Sequence, residues 1–192
     1  MKVTPDATLP DVLLIEPAVF RDARGSFREL YNAERYEVAG VPSSFRQDNL
    51  SRSARGVLRG LHLQHPRSQG KLVTVLEGAV FDVAVDVRRG SATFGRWTGY
   101  TLTGQNAHQL WVPPGFAHGF LVLEDDTFFS YKCTDVYSPA HELTVRWDDP
   151  AIGIRWPGEA PRLSDKDAAA PTLAELADRL PTFESTAAGV AS

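Results

Sequence analysis

The sequence predicts an all-β fold, a sandwich or jelly roll of about ten short strands. Three observations carry this. Apolar runs of strand length recur at close spacing, turn-forming residues separate them, and helical periodicity is scarce.

Taken in order, Val12–Glu16 is the first run, and Ala33–Ala39 reads as a short helix that stops before Gly40. Phe45–Ser51 and Val57–Gln64 follow as strands, then Lys71–Leu76, closed by the turn Glu77-Gly78. Val80–Val87 is the clearest strand. Phe81, Val83, Val85 and Val87 share one face, and Asp82 and Asp86 alternate with them on the other. Arg89-Gly90-Ser91 leads into Arg96–Leu102, and Thr103-Gly104 ends it. Gln109–Val112, His118–Leu123, Thr127–Thr134 and Glu142–Arg146 complete the series, with Pro113-Pro114-Gly115 and Glu124-Asp125-Asp126 as breaks. Near the C-terminus, Thr172 and Glu175 have the T-x-x-E spacing of a capping box and Pro181 is a stop. Leu173–Leu180 is therefore predicted as a helix. No repeat or linker divides the chain, so residues 1–184 are expected to form one domain, and 185–192 a loose tail.

A chain of 192 residues can bury a proper core, and 43% apolar with 23% charged residues is ordinary for a globular protein. The net charge of −4 argues against a broad nucleic-acid surface, although Arg52, Arg55 and Arg59 could meet phosphate locally. A single cysteine, Cys133, allows no internal disulfide and fits a reducing cytoplasm. The first residues, MKVTPDATLPDV, lack the apolar core of a signal peptide, and no segment approaches the roughly 20 apolar residues of a membrane span. The expectation is a soluble cytoplasmic protein with neither membrane nor nucleic acid as partner.

Residues 57–73, VLRGLHLQHPRSQGKLV, hold the most chemistry. Arg59, His62 and Lys71 interrupt an apolar run, and charge in a sheet interior is costly unless paired or used. A base beside two cations suits proton removal next to a carbonyl, with the enolate held by positive charge. A nearby cation favours the neutral, proton-accepting form of His62. Such a base wants a carboxylate to orient it, and spacing alone does not name one. Arg59 and His62 lie three apart, so a flat strand would send them to opposite faces; a bulge at Gly60 would re-aim one.

Tyr131 reads either as a core aromatic or as a general acid facing the histidine. Gln47, Asp48 and Asn49 read as a solvated edge or as donors and acceptors for a sugar or base. Arg24, Arg59 and Lys166 read as solvated surface or as phosphate or substrate contacts, several of which a diphosphate would use at once. Metal binding is the main rival reading, through His62, His65 and His118. Metal-binding cupins are similar in part: Pro113-Pro114-Gly115-Phe116-Ala117-His118 matches their P-x-G-x-x-H motif. Their H-x-H with a following glutamate is not matched by His62-Leu63-Gln64-His65, and Lys71 would repel a cation.

From about Leu14 to about Leu180 the chain resembles the dTDP-4-dehydrorhamnose 3,5-epimerases. The resemblance rests on Asp22-Ala23-Arg24-Gly25, Gln47-Asp48-Asn49, Val57-Leu58-Arg59-Gly60-Leu61-His62, Gln69-Gly70-Lys71 and Phe81-Asp82-Val83-Ala84-Val85-Asp86. It continues through Pro114-Gly115-Phe116-Ala117-His118-Gly119-Phe120, Tyr131-Lys132-Cys133-Thr134 and Leu163-Ser164-Asp165-Lys166-Asp167. It implies a cupin-like jelly roll, an antiparallel β-sandwich with a few short helices, that works without metal or other cofactor as a strand-exchanged homodimer on a dTDP-sugar. By the same resemblance, His62 abstracts the C3 and C5 protons, Asp167 pairs with it, Tyr131 donates a proton, and Lys71 stabilises the enolate. Arg24, Glu29, Gln47, Asp48, Asn49, Arg59, His118, Glu142 and Lys166 would contact substrate, and Tyr137 would stack on thymine. Epimerisation of one centre only, or nucleotide-sugar binding without catalysis, are the alternatives. Two positions depart from the family pattern: Leu63 follows His62 where an aromatic is common, and Val136 precedes Tyr137 in place of a second tyrosine.

Overall fold

The computed structural model describes residues 1–158 and 160–183; the tail expected at 185–192 and residue 184 lie outside them. Thirteen strands form in this order: β1 (Lys2–Pro5), β2 (Leu13–Glu16), β3 (Val19–Asp22), β4 (Gly25–Arg28), β5 (Gln47–Ser53), β6 (Leu58–Gln64), β7 (Lys71–Glu77), β8 (Ala79–Asp86), β9 (Trp97–Thr103), β10 (Gln109–Val112), β11 (Phe116–Val122), β12 (Thr127–Cys133) and β13 (Glu142–Thr144). Among the described residues two α-helices, α1 (Ala33–Val38) and α2 (Asp165–Ala168), accompany them. The strands form a six-stranded sheet, β1-β2-β10-β7-β12-β5, a five-stranded sheet, β13-β6-β11-β8-β9, and a separate hairpin, β3-β4. All the pairings between these strands are antiparallel.

Each face of the sandwich has an apolar reason to exist. Val73, Val75, Leu110 and Phe129 of the larger sheet pack with Val80, Ala84, Leu102 and Phe120 of the smaller one. Outside the smaller sheet, Leu61, Val83, Val85 and Leu143 are covered by Ile152, Leu173, Leu176 and Leu180. Outside the larger sheet, Ile15, Leu72 and Trp111 meet Tyr36 and Val41 at helix α1. Strand β8 thus has both faces covered, and Asp82 and Asp86 are fully buried rather than solvated.

The expected strands form with ends displaced by at most two residues, and β10 matches residue for residue. β1, β3 and β4 are additional; they are short and mostly exposed, so no apolar alternation marks them. The helix expected over Leu173–Leu180 does not form as an α-helix. The capping box closes, with the Glu175 amide donating to Thr172 Oγ1 at 3.3 Å and the Thr172 amide to Glu175 Oε2 at 2.8 Å. Yet the Leu173 amide is taken by Asp149 at 2.6 Å, and the segment ends as a 3₁₀ turn at Ala177–Arg179. Prolines at 171 and 181 leave too few residues to offset the cost of an α-helical nucleus, and burial of three leucines sets the path.

Candidate active site

Strand β6 carries a one-residue bulge against β11. His118 stands opposite His62 and Phe120 opposite Arg59, so two steps on β11 span three on β6. Gly60 has φ +135°, and a Cβ there would lie 2.6 Å from Gly119 Cα, so only glycine permits the approach. The parity problem is resolved as expected: Arg59 and His62 both line one cavity of about 580 Å³ between the sheets. Lys71, His118, Tyr131, Lys166 and Asp167 line it too. A second cavity of about 290 Å³ shares His62, Lys71 and Tyr131 and adds Gln47, Asn49, Tyr137 and Glu142.

The catalytic candidates meet from four elements. His62 Nε2 lies 2.6 Å from Asp167 Oδ1. The carboxylate is almost fully buried, while the imidazole keeps 26% exposure toward the cavity. Ser164 caps α2, its Oγ accepting the Asp167 amide at 3.2 Å. Burial pushes the Asp167 carboxyl up, but hydrogen bonds from His62, Ser164 and the Gly60 amide outweigh it and hold the group below its usual range. Lys71 is buried and donates from Nζ to the His62 carbonyl at 3.1 Å. Burial pushes its ammonium below the ordinary lysine value, opposed by Cys133, Asp82 and Glu142. Burial raises the Tyr131 phenol, Cys133 and Glu142 add to this, and Arg59 opposes it. The phenol therefore carries its proton at neutral pH, as an acid must.

His118 is spent differently. Its Nε2 lies 2.9 Å from the Asp82 carboxylate, and its ring stacks on Phe129 at 15° between planes. Burial lowers its basicity against the pull of Asp82, and burial likewise pushes the Asp82 carboxyl up against the pull of His118 and Lys71. At the outer end, Glu142 accepts from Tyr137 Oη and from Lys166 Nζ, each at 2.9 Å. Gln47 Oε1 accepts the Tyr137 amide at 2.7 Å, and its Nε2 donates to Asn49 Oδ1 at 2.8 Å.

Three expected contacts lie elsewhere. Asp48 alternates to the outer face of β5, where Lys132 Nζ donates to it at 2.9 Å. Arg24 pairs with Asp22 at the tip of the β3–β4 hairpin, and Glu29 just after it pairs with Arg35. Conversely, Arg162, Ser51 and Phe120 line the main cavity without having been singled out. Arg162 directly precedes the Leu163–Asp167 motif, and a cation beside an N-cap serine was the available signal. Of the histidines in the metal reading, His62 is engaged by Asp167, His118 by Asp82, and His65 has a buried Nδ1 without a hydrogen-bond partner among the described residues. Among the described residues no group of three His, Cys, Asp or Glu is placed to share an ion.

Comparisons with known proteins agree with one another. The family model for dTDP-4-dehydrorhamnose 3,5-epimerase matches residues 6–175. A dTDP-4-dehydrorhamnose 3,5-epimerase from Pseudomonas aeruginosa is 57% identical over 161 residues, 83% of this chain and 89% of the relative. A dTDP-6-deoxy-D-glucose-3,5-epimerase from Legionella pneumophila, solved with dTDP-4-keto-L-rhamnose, superposes with a TM-score of 0.92 at 49% identity, covering 95% of this chain and 98% of that one. A 3'-monoepimerase from Streptomyces bikiniensis, solved with dTDP-quinovose, gives 0.85 at 39% identity, with 90% of each chain covered.

Proposed function

The chain belongs to the dTDP-4-dehydrorhamnose 3,5-epimerase family, and from that membership we propose how its own residues carry the reaction. The substrate is dTDP-4-dehydro-6-deoxy-D-glucose and the product dTDP-4-dehydro-L-rhamnose. C3 and C5 both lie α to the C4 carbonyl, so one base, one cation and one acid serve both centres. His62 takes the proton, the C–H electrons form the enolate C=C, and the charge gathers on the C4 oxygen. Lys71 stabilises that oxygen, and Tyr131 returns a proton from the opposite face. Preorganised positive charge at the oxyanion is the largest contribution, and proton transfer adds about 10²–10⁴-fold. Asp167 holds the His62 ring and stabilises its imidazolium, as a carboxylate does for a catalytic histidine.

One observation supports this most: a single cavity opens onto base, cation and phenol together. With Lys71 supplying the positive charge, no step calls for a metal or other cofactor. Tyr137, Gln47 and Asn49 receive the nucleoside in the adjoining cavity, with Glu142 bracing Tyr137. Arg59, Lys166 and Arg162 offer charge to the diphosphate, and His118 faces the sugar. The working unit is a homodimer. The β3–β4 hairpin stands apart from both sheets, with Phe20 65% and Phe27 70% exposed. Exchange of this hairpin between copies would carry Arg24 and Glu29 to the neighbouring cavity. Among the described residues no helix is long and apolar enough to cross a membrane, and the lone thiol Cys133 suits a reducing cytoplasm.

Incubation with dTDP-4-dehydro-6-deoxy-D-glucose in D₂O, followed by NMR, tests the reading. Deuterium is expected at both C3 and C5. Exchange at one carbon alone would select the single-centre reading, which the likeness to a 3'-monoepimerase favours. Binding with no exchange would leave only a nucleotide-sugar binder.

A further inference from the structure

The loop that carries Tyr137 is held by a side chain that takes no part in the proton transfers. Gln64 ends β6, two residues past His62, and is 3% exposed. Its Oε1 accepts the Ser138 amide at 2.7 Å. Its Nε2 donates to the Arg67 carbonyl at 2.9 Å and to the Val136 carbonyl at 3.4 Å. The side-chain amide is thus committed to the backbone of two loops. A buried amide so committed fixes what it binds, because any group left unpaired would lose a buried hydrogen bond.

The neighbouring amide is held in the same way from the other sheet. The Tyr137 N–H goes to Gln47 Oε1 on β5 at 2.7 Å. Consecutive amides, of Tyr137 and Ser138, are therefore accepted by one glutamine from the six-stranded sheet and one from the five-stranded sheet. The far end of the ring is pinned from the same rung as Gln64. Glu142 stands opposite Gln64 on β13 and accepts the Tyr137 hydroxyl at 2.9 Å. Gln47, Gln64, Tyr137 and Glu142 all line the second cavity. The Tyr137 ring is half-exposed yet held at three points, so it needs little ordering when a planar base arrives, and such preorganisation raises affinity. We infer that Gln64 is a positioning residue for nucleotide binding: it sets Tyr137 over the second cavity and acts through that ring. This rests on Tyr137 being the thymine platform proposed above.

The test is Gln64→Met, which keeps the side-chain length and removes the amide. dTDP affinity is measured by calorimetry, beside deuterium wash-in at saturating dTDP-4-dehydro-6-deoxy-D-glucose. Kd and KM are expected to rise about tenfold, the affinity equivalent of one lost buried hydrogen bond. The saturating wash-in rate is expected to stay within about twofold of the parent, because the lost interaction serves ground state and transition state alike. A folded Gln64→Met with parental dTDP affinity, or with a saturating rate that falls as far as its affinity, would overturn the inference. Tyr137→Ala separates the two ideas: parental dTDP affinity there means that the platform reading itself fails. If Tyr137→Ala weakens binding, adding Gln64→Met to it should cost no further affinity, because the ring through which Gln64 acts is gone. Losses that simply add would overturn the positioning role. Should Gln64→Met fail to fold, Gln64→Asn decides. Its amide is a methylene too short for the Ser138 N–H, and the same rise in Kd is expected. Parental affinity in that variant, or failure of both variants to fold, would overturn the inference.

Discussion

His62 and Asp167 meet at 2.6 Å although they lie 105 positions apart in the sequence; His118 and Asp82 meet at 2.9 Å across adjacent strands. Both histidines line the same cavity. In the first pair the imidazole is 26% exposed and its carboxylate 4%; in the second the values are 6% and 0%. The first ring can therefore take a proton from a ligand and pass it to solvent, with a carboxylate fixed behind it on the cap of α2. The second ring is clamped between a carboxylate and Phe129, and changing its charge would mean burying that charge. On the proposed mechanism the same two side chains serve as a proton carrier in one place and a fixed hydrogen-bonded pair in the other. Exposure and the anchoring element decide which.

The largest break in this comparison is His62→Ala. Turnover is expected to fall by at least the 10²–10⁴-fold of a lost general base, while calorimetry finds dTDP affinity intact. A variant that no longer folds would show that the histidine serves the fold. Next comes Tyr131→Phe, which is expected to slow epimerisation more than deuterium wash-in, because the base still works while the acid on the opposite face is gone. Equal loss of both would contradict a pure acid role.

Asp167→Asn sharpens the comparison through stability. The folded protein holds this carboxyl below its usual range. Its contribution is complete above the unfolded value of about 3.9 and is lost as pH falls through the lower folded value. The melting difference between parent and Asp167→Asn is therefore expected to be widest at neutral pH and to close in strong acid; a difference that widens on acidification would contradict the assigned sign. The smallest effect is expected of Asp48→Ala. Its carboxylate meets Lys132 on the outer face of β5, so KM is expected to change by no more than about twofold, the scale of an ordinary surface substitution.

Parts of this were legible from sequence for physical reasons. The core strands announce themselves because an apolar run of strand length, or a period-two burial pattern as in β12, shows in the sequence. β1 and the β3–β4 hairpin leave none, because little of them is buried. His62 and Lys71 stand out as charge inside apolar runs. Asp167 does not, since its partner lies 105 residues away and only the family motif links them. Asp82 shows the opposite failure. Its alternation with valines looks like an ordinary polar face, and only packing by the second sheet makes it an interior charge. The capping box at Thr172 forms as its local spacing predicts, but it starts a turn whose path Asp149 and the buried leucines dictate.

The most direct test compares Asp167→Asn and Asp82→Asn side by side, as the rate of deuterium wash-in at C3 and C5 against pH. Two pairs with separate work predict separate signatures. Asp167→Asn should lower the rate across the whole range, while Asp82→Asn should leave it closer to that of the parent. If both variants lower the rate alike, or neither changes it, the two pairs do not divide the work in this way.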